Sequence, residues 1–174
     1  LSGGAGRRSA DAERETALDF DGPRHLRPSD AAAAAALIRA AFAEQGKTTD
    51  PPSSALRETA EIVAEKLAAG GGAGIERESA LIGVVLWTPQ ADALYFGRLA
   101  VAPAWRGRGL ARLLIAAAEA EARRRGFSVL RLNARLELPA NRRLFARRGF
   151  ADAGMRAHPG YAAPTIMVME KALG

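Results

Sequence analysis

The 174-residue chain contains no cysteine. Disulfides, thiol nucleophiles and cysteine-ligated metals are therefore excluded. Histidine is almost absent: His25 and His158 are the only two. They are too few and too far apart in sequence to suggest a metal site, and none is expected. Aromatic residues make up 6% of the chain. Exposed aromatics interleaved with basic charge, the mark of nucleic-acid platforms, are missing, so nucleic acid is not an expected partner. The longest apolar run, Ala31 to Ala43, is interrupted by Arg39. It falls short of the roughly 20 residues a membrane helix needs. The polar, glycine-rich start lacks a signal-peptide pattern. The expectation is a cytoplasmic protein with no membrane partner. The chain begins at Leu1, not Met, and its natural start is left open.

Acidic residues are also scarce in one region. From Arg98 to Arg148 there are 13 arginines against Glu119, Glu121 and Glu137, a net charge of +10. The preceding 97 residues carry 10 basic and 14 acidic side chains, so the overall +6 is concentrated in one block. A basic block points to phosphate, on nucleic acid or on a small cofactor, unless it is only a solvated face. The remaining composition, 48% hydrophobic and 25% charged, is that of an ordinary globular chain. Its length suits one domain with a sizeable core.

Residues 1–23 are small, polar and aperiodic, and read as a disordered tail; 24–174 read as one domain. Arg24 to Arg27 suggests a short strand. Ser29 or Asp30 opens a helix whose apolar positions are Ala33, Leu37, Ala40 and Ala41. After the breaker Asp50-Pro51-Pro52, a second helix is expected from about Ser54 to Ala69. Leu56, Ile62, Val63 and Leu67 form its buried face, and Glu58, Glu61 and Glu65 a solvated one. Ala73 to Glu76, Leu81 to Trp87 and Leu94 to Val101 read as an antiparallel meander, with Glu76 and Glu78 as solvated hairpin residues. Arg108 to Arg125 is a long amphipathic helix with Leu110, Leu113, Leu114, Ala117 and Ala118 on one face. The pairs Glu119–Arg123 and Glu121–Arg125 lie on the other, and Gly126 ends the helix. Phe127 to Asn133 is then a strand, parallel to Leu94–Val101 through this crossover. A short helix from Pro139 to Arg148 and strands at Phe150–Arg156 and Thr165–Glu170 complete the chain.

The stretch Arg98 to Ala111 combines a strand end, a basic glycine loop and a helix start. Gly107 and Gly109 permit positive φ, so successive N–H groups converge on an anion. The helix adds the positive end of its dipole, and Arg106 and Arg108 add charge-assisted contacts. Ala111 is small where the helix must pack closely. This points to a phosphate-bearing ligand. It is neither the Gly-x-Gly-x-x-Gly dinucleotide fingerprint nor a P-loop.

Arg106-Gly107-Arg108-Gly109-Leu110-Ala111 resembles the Arg/Gln-x-x-Gly-x-Gly/Ala signature of the GNAT family of N-acetyltransferases. Leu99-x-Val101-x-Pro103 resembles the strand end before it. Asn141, Leu144-Phe145 and Gly149-Phe150 resemble the family's second cofactor motif. The resemblance covers about Arg24 to Leu173. It implies an α/β (α+β) single domain. The sheet is mixed, mostly antiparallel and twisted, of about six or seven strands, with one parallel splayed pair and flanking helices. It also implies acetyl-CoA as cofactor: the pantetheine arm on the backbone of Leu99, Ala100 and Val101, and the pyrophosphate on the amides of Arg106 to Ala111, including Leu110. Asn141, Asn133 and Phe145 complete the contacts. Asn141 also reads as a helix cap after Pro139. Homodimers are frequent in the family, though no residue here argues for one.

The implied reaction is direct transfer of the acetyl group to a deprotonated amine, with a backbone amide near Val101 polarising the carbonyl. The chain departs from the family where Phe145 replaces the tyrosine that usually protonates the thiolate. Tyr95-Phe96-Gly97-Arg98 also lacks the glutamate that some members use as base. His158 and Tyr161, in His-Pro-Gly-Tyr, are the candidate catalytic pair; they also read as turn and packing residues. Tyr95 is a weaker candidate. The leading expectation is an acceptor that is a small-molecule primary amine. The alternatives are a protein or peptide N-acetyltransferase and a non-catalytic acyl-CoA sensor.

Overall fold

The computed structural model describes residues 20–44 and 49–174. The expected tail at 1–23 and the loop from Gly46 fall partly outside these residues. Phe20, within that expected tail, is buried in the core and meets Trp105 edge-on.

Among the described residues, seven strands form one sheet: β1 Arg24–His25, β2 Gly71–Arg77, β3 Ala80–Pro89, β4 Leu94–Val101, β5 Val129–Arg135, β6 Ala151–Arg156 and β7 Ile166–Ala172. Their order is β1-β2-β3-β4-β5-β7-β6. Every neighbouring pair is antiparallel except β4 and β5. The flanking helices are α1 Ala31–Ala43, α2 Ala60–Ala69, α3 Leu110–Arg124 and α4 Pro139–Ala146. The expected mixed sheet with one parallel pair is therefore observed.

Two cores flank the sheet. One face of β3 and β4, with Val84, Leu86 and Ala100, packs under α1 and α2. The other, with Val85, Trp87, Leu94 and Phe96, packs under α3. Leu110, Leu114, Ile115, Ala118 and Ala122 are the buried positions of α3. Each large apolar side chain buried there contributes about 1.5–3 kcal/mol.

Several expected faces are corrected. In α1 the buried positions are Ala31, Ala34, Ala35, Ile38 and Ala41, while Ala33 and Ala40 are exposed. The alanine run hides the phase of the helix, and Ile38 sets it. The second helix does not start at Ser54. A 3-10 turn over Ser54–Arg57 breaks at Glu58, and Thr59 caps α2 by accepting from the Ile62 amide at 3.2 Å. The break leaves Leu56 and Ile62 exposed and buries Glu58. Glu121 is also buried, not solvated, where Arg124 and Arg125 neutralise it. Glu76 is bonded by Arg24.

Three features of this fold position the site. First, β4 and β5 pair only at Leu94↔Leu130 and Tyr95↔Arg131, then diverge. Second, β4 carries a bulge: Val84 and Leu86 of β3 face Ala100 and Gly97, so three steps on β4 match two on β3. Arg98 lies within it at φ +54, a conformation bulges usually give to glycine. Third, a 3-10 turn over Pro103–Trp105 and the glycine turn lead from the end of β4 into α3.

Candidate active site

Where β4 and β5 separate, the β4 backbone from Phe96 to Val101 has no strand partner on that side. Backbone amides and carbonyls need partners, so this edge has the chemistry to receive a ligand with its own donors and acceptors. A groove of 640 Å³ lies between the end of β4, α1 and the start of α4. Leu99, Ala100, Val101, Arg106 and Asn141 line it, with Phe42 of α1 and Leu138 and Arg143 around α4. A second cavity of 190 Å³ lies deeper in the splay. Leu99, Asn133, Asn141 and Phe145 line this one, together with Thr49, Ser53, Arg98 and Arg135.

The loop that follows β4 has the predicted backbone. Gly107 and Gly109 sit at φ +75 and +85, and Gly109 occupies the cap position of α3. Among the described residues, no atom beyond its chain neighbours lies within 4 Å of where a Gly107 Cβ would stand, which leaves the space over this turn open. The first-turn amides of α3 have no side-chain cap. Open cradle, free helix amides and positive charge together fit a phosphate. Arg106 is exposed and 3.6 Å from Glu44. Arg108 stacks its guanidinium over Trp105 at 4.6 Å. Leu110 is buried, so its side chain is core and only its backbone faces the turn. Ala111 is half-buried beside it.

Asn141 lines both cavities. The cap reading is corrected: Leu138 holds the cap position of α4, and Asn141 lies one turn inside. Phe145 meets Phe96 and Phe150 edge-on at 6.1 and 6.0 Å. Phe145, which brings no hydroxyl, packs in an aromatic cluster and also lines the deep cavity. Tyr95 is half-buried against Gly97, and burial raises its hydroxyl pKa.

His158 and Tyr161 line neither cavity. They lie together, rings 6.2 Å apart, in the loop between β6 and β7. His158 Nε2 is 3.2 Å from Arg135 Nη1, and its Nδ1 is 2.5 Å from Thr165 Oγ1. Arginine only donates, so Nε2 accepts and the imidazole carries its proton on Nδ1. Burial, then the Arg135 charge, holds its pKa below the ordinary histidine value. Tyr161 donates its hydroxyl to Asp50, which raises the phenol pKa. Arg135 also donates to Pro51 O at 2.7 Å and to Glu137 Oε1 at 2.9 Å. Glu137 in turn accepts from the Asp50 amide. The 49–53 loop and the His158 loop are thereby joined through the end of β5.

Sequence reasoning expects the acceptor over the loop from Gly46 to Ser54, the helix after it and the His158 loop. Thr49 and Ser53 belong to that first loop and line the deep cavity, while Arg98 and Arg135 were missed as cavity residues. Among the described residues, no cluster of His, Cys, Asp or Glu could hold a metal ion. Among the same residues, no helix is long and apolar enough to cross a membrane.

The family model for the Acetyltransferase (GNAT) family matches residues 34–150. The chain belongs to this family, and it is an N-acetyltransferase that uses acetyl-CoA. A Lactobacillus plantarum protein assigned as an N-acetyltransferase is 28% identical, with TM-score 0.63, over 88% of this chain and 99% of its own. The ribosomal-protein-S18-alanine N-acetyltransferase of Escherichia coli is 19% identical, with TM-score 0.68, over 87% and 92%. A Salmonella typhimurium protein assigned as an acetyltransferase, solved with its cofactor acetyl-CoA, is 19% identical, with TM-score 0.66, over 89% and 94%. No curated protein matches the chain.

Proposed function

We propose that this enzyme acetylates the primary amine of a small molecule. One observation supports the small acceptor above the rest. The 49–53 and His158 loops are tied to each other and to β5 beside the deep cavity, which holds only 190 Å³. A polypeptide needs an open path past the reacting carbon, and this end of the splay is bridged.

Acetyl-CoA supplies an activated acetyl thioester. In this reading the Leu99–Val101 backbone and Asn141 hold the pantetheine arm, with Asn133 and Phe145 deeper in the splay. The amides of Gly107 to Ala111 hold the pyrophosphate, with Arg106 and Arg108 adjacent. An amide near Val101 polarises the thioester carbonyl. His158 is kept in its neutral, proton-accepting form, and it takes up a proton when the Arg135 contact opens. Tyr161, bonded to Asp50, is the proton donor at the same end. Phe145 cannot serve, and among the described residues no carboxylate lines the deep cavity.

An acceptor panel read by product mass spectrometry tests this. Small primary amines should be acetylated and N-terminal peptides should not. Acetylation of peptides alone would overturn the reading. His158→Ala and Tyr161→Phe should lower kcat without weakening acetyl-CoA binding; unchanged kcat in either removes that residue from proton transfer.

A further inference from the structure

Glu58 is 2% exposed, yet it takes no part in the proposed reaction. It stands at the break between the 3-10 turn and α2. Its Oε1 accepts from Arg98 Nε at 2.6 Å and also from Lys66. Burial opposes its charge, but the Lys66 and Arg98 bonds outweigh burial and hold the carboxyl below the usual glutamate range. Arg98 is further fixed by Ser54 Oγ at 2.7 Å. Arg39 bonds the Glu58 carbonyl, which locks the break in place against α1.

Arg98 is the residue of the β4 bulge. Its φ of +54 is shared, among non-glycine described residues, only with Glu78 and Ser79 of the β2–β3 turn. Such a conformation is unfavourable for a residue with a Cβ and persists only where its surroundings impose it. The bulge starts just past the last β4–β5 pair, Tyr95↔Arg131. An inserted residue bends its strand and sharpens the twist, which turns the following residues away from a neighbour. The residues so turned are Leu99 to Val101.

We propose that Glu58 is a positioning residue for the acyl-CoA groove: through the Arg98 guanidinium it holds the left-handed backbone that keeps β4 open from β5. This rests on the splay being the cofactor site. Glu58 lines neither cavity itself; it acts through Arg98, which lines the deep one. Lys66 balances the charge of Glu58 from α2, without contact to the bulge.

Glycine separates this role from simple stabilisation, because it adopts positive φ without help. Acetyl-CoA affinity is measured by calorimetry, with thermal unfolding alongside. Glu58→Leu should weaken binding about tenfold, the order of penalty for re-imposing a left-handed residue on binding. Adding Arg98→Gly to that variant should raise affinity above that of Glu58→Leu alone. Arg98→Gly should bind about tenfold more tightly than Arg98→Ala, since both lose the cavity-lining guanidinium and only glycine takes the left-handed backbone freely, which keeps the test valid if Glu58→Leu does not fold. Lys66→Met should lower the Tm and leave the affinity unchanged. Wild-type affinity in Glu58→Leu, or equal affinities in the Ala and Gly variants at 98, would overturn the proposal. A wild-type enzyme that fails to bind acetyl-CoA would instead contradict the cofactor site.

Discussion

Arg135 on β5 donates to His158 Nε2 across 3.2 Å, although 23 residues separate them. The contact fixes the neutral imidazole, and the sign of its pH effect follows. The folded pKa is lowered, so above about pH 6.5 both the folded and unfolded states are neutral here. As pH falls below that value the unfolded state takes up the proton first, and stability drops until the folded pKa is passed. Tm measured from pH 8 to pH 5 should therefore fall on the acid side. His158→Asn should flatten that part of the profile. An unchanged slope in the variant would show that His158 is not the titrating group.

Glu121 acts at lower pH. The Arg124 bond, against opposing burial and with Arg125 assisting, lowers its carboxyl to about 2. Its contribution is present above the ordinary value of 4.5 and is lost as pH falls toward about 2. Glu121→Gln should lower the Tm at pH 7 and reduce the loss between pH 4.5 and pH 2. Asp30, lowered to about 2 chiefly by Arg24, should leave a residual acid transition. Acid titration followed by circular dichroism distinguishes the two.

Gly70 is a steric requirement at the turn from α2 into β2. A Cβ there would stand 2.0 Å from the Trp87 carbonyl oxygen, a backbone atom that cannot swing away. Gly70→Ala should destabilise by about 1–3 kcal/mol. In a domain of this size that lowers the Tm by roughly 2–12 °C. Gly22→Ala, with nothing within 4 Å, is the control and should leave the Tm unchanged. Equal melting of the two variants would refute the packing argument.

Much of the fold was legible because local signals agreed. The β4 bounds Leu94–Val101 match the structure, since alternating apolar residues end at Pro103. α3 was readable from its apolar face and Gly126, which adopts φ +82. The turn before α3 was readable because Gly107 and Gly109 encode positive φ. What could not be read is long-range. Glu58 reads as one of three acids at helical spacing, and only the Thr59 cap separates it from α2. Nothing local marks Arg98 for a left-handed backbone, because that conformation comes from Glu58, 40 residues away. The Tyr161–Asp50 bond spans 111 residues and depends on how two loops meet.

The most direct measurement is calorimetric titration of acetyl-CoA into the wild type and into Gly107→Trp. The new side chain meets no existing atom at its Cβ, so the variant should fold with only a modest loss from its left-handed backbone, about 1–2 kcal/mol. It would fill the space over the α3 amides. Saturable binding to the wild type at one site, with binding abolished in the folded variant, is the expected result. Equal affinity in the two proteins would contradict the assignment of the Arg106–Ala111 turn as the cofactor cradle.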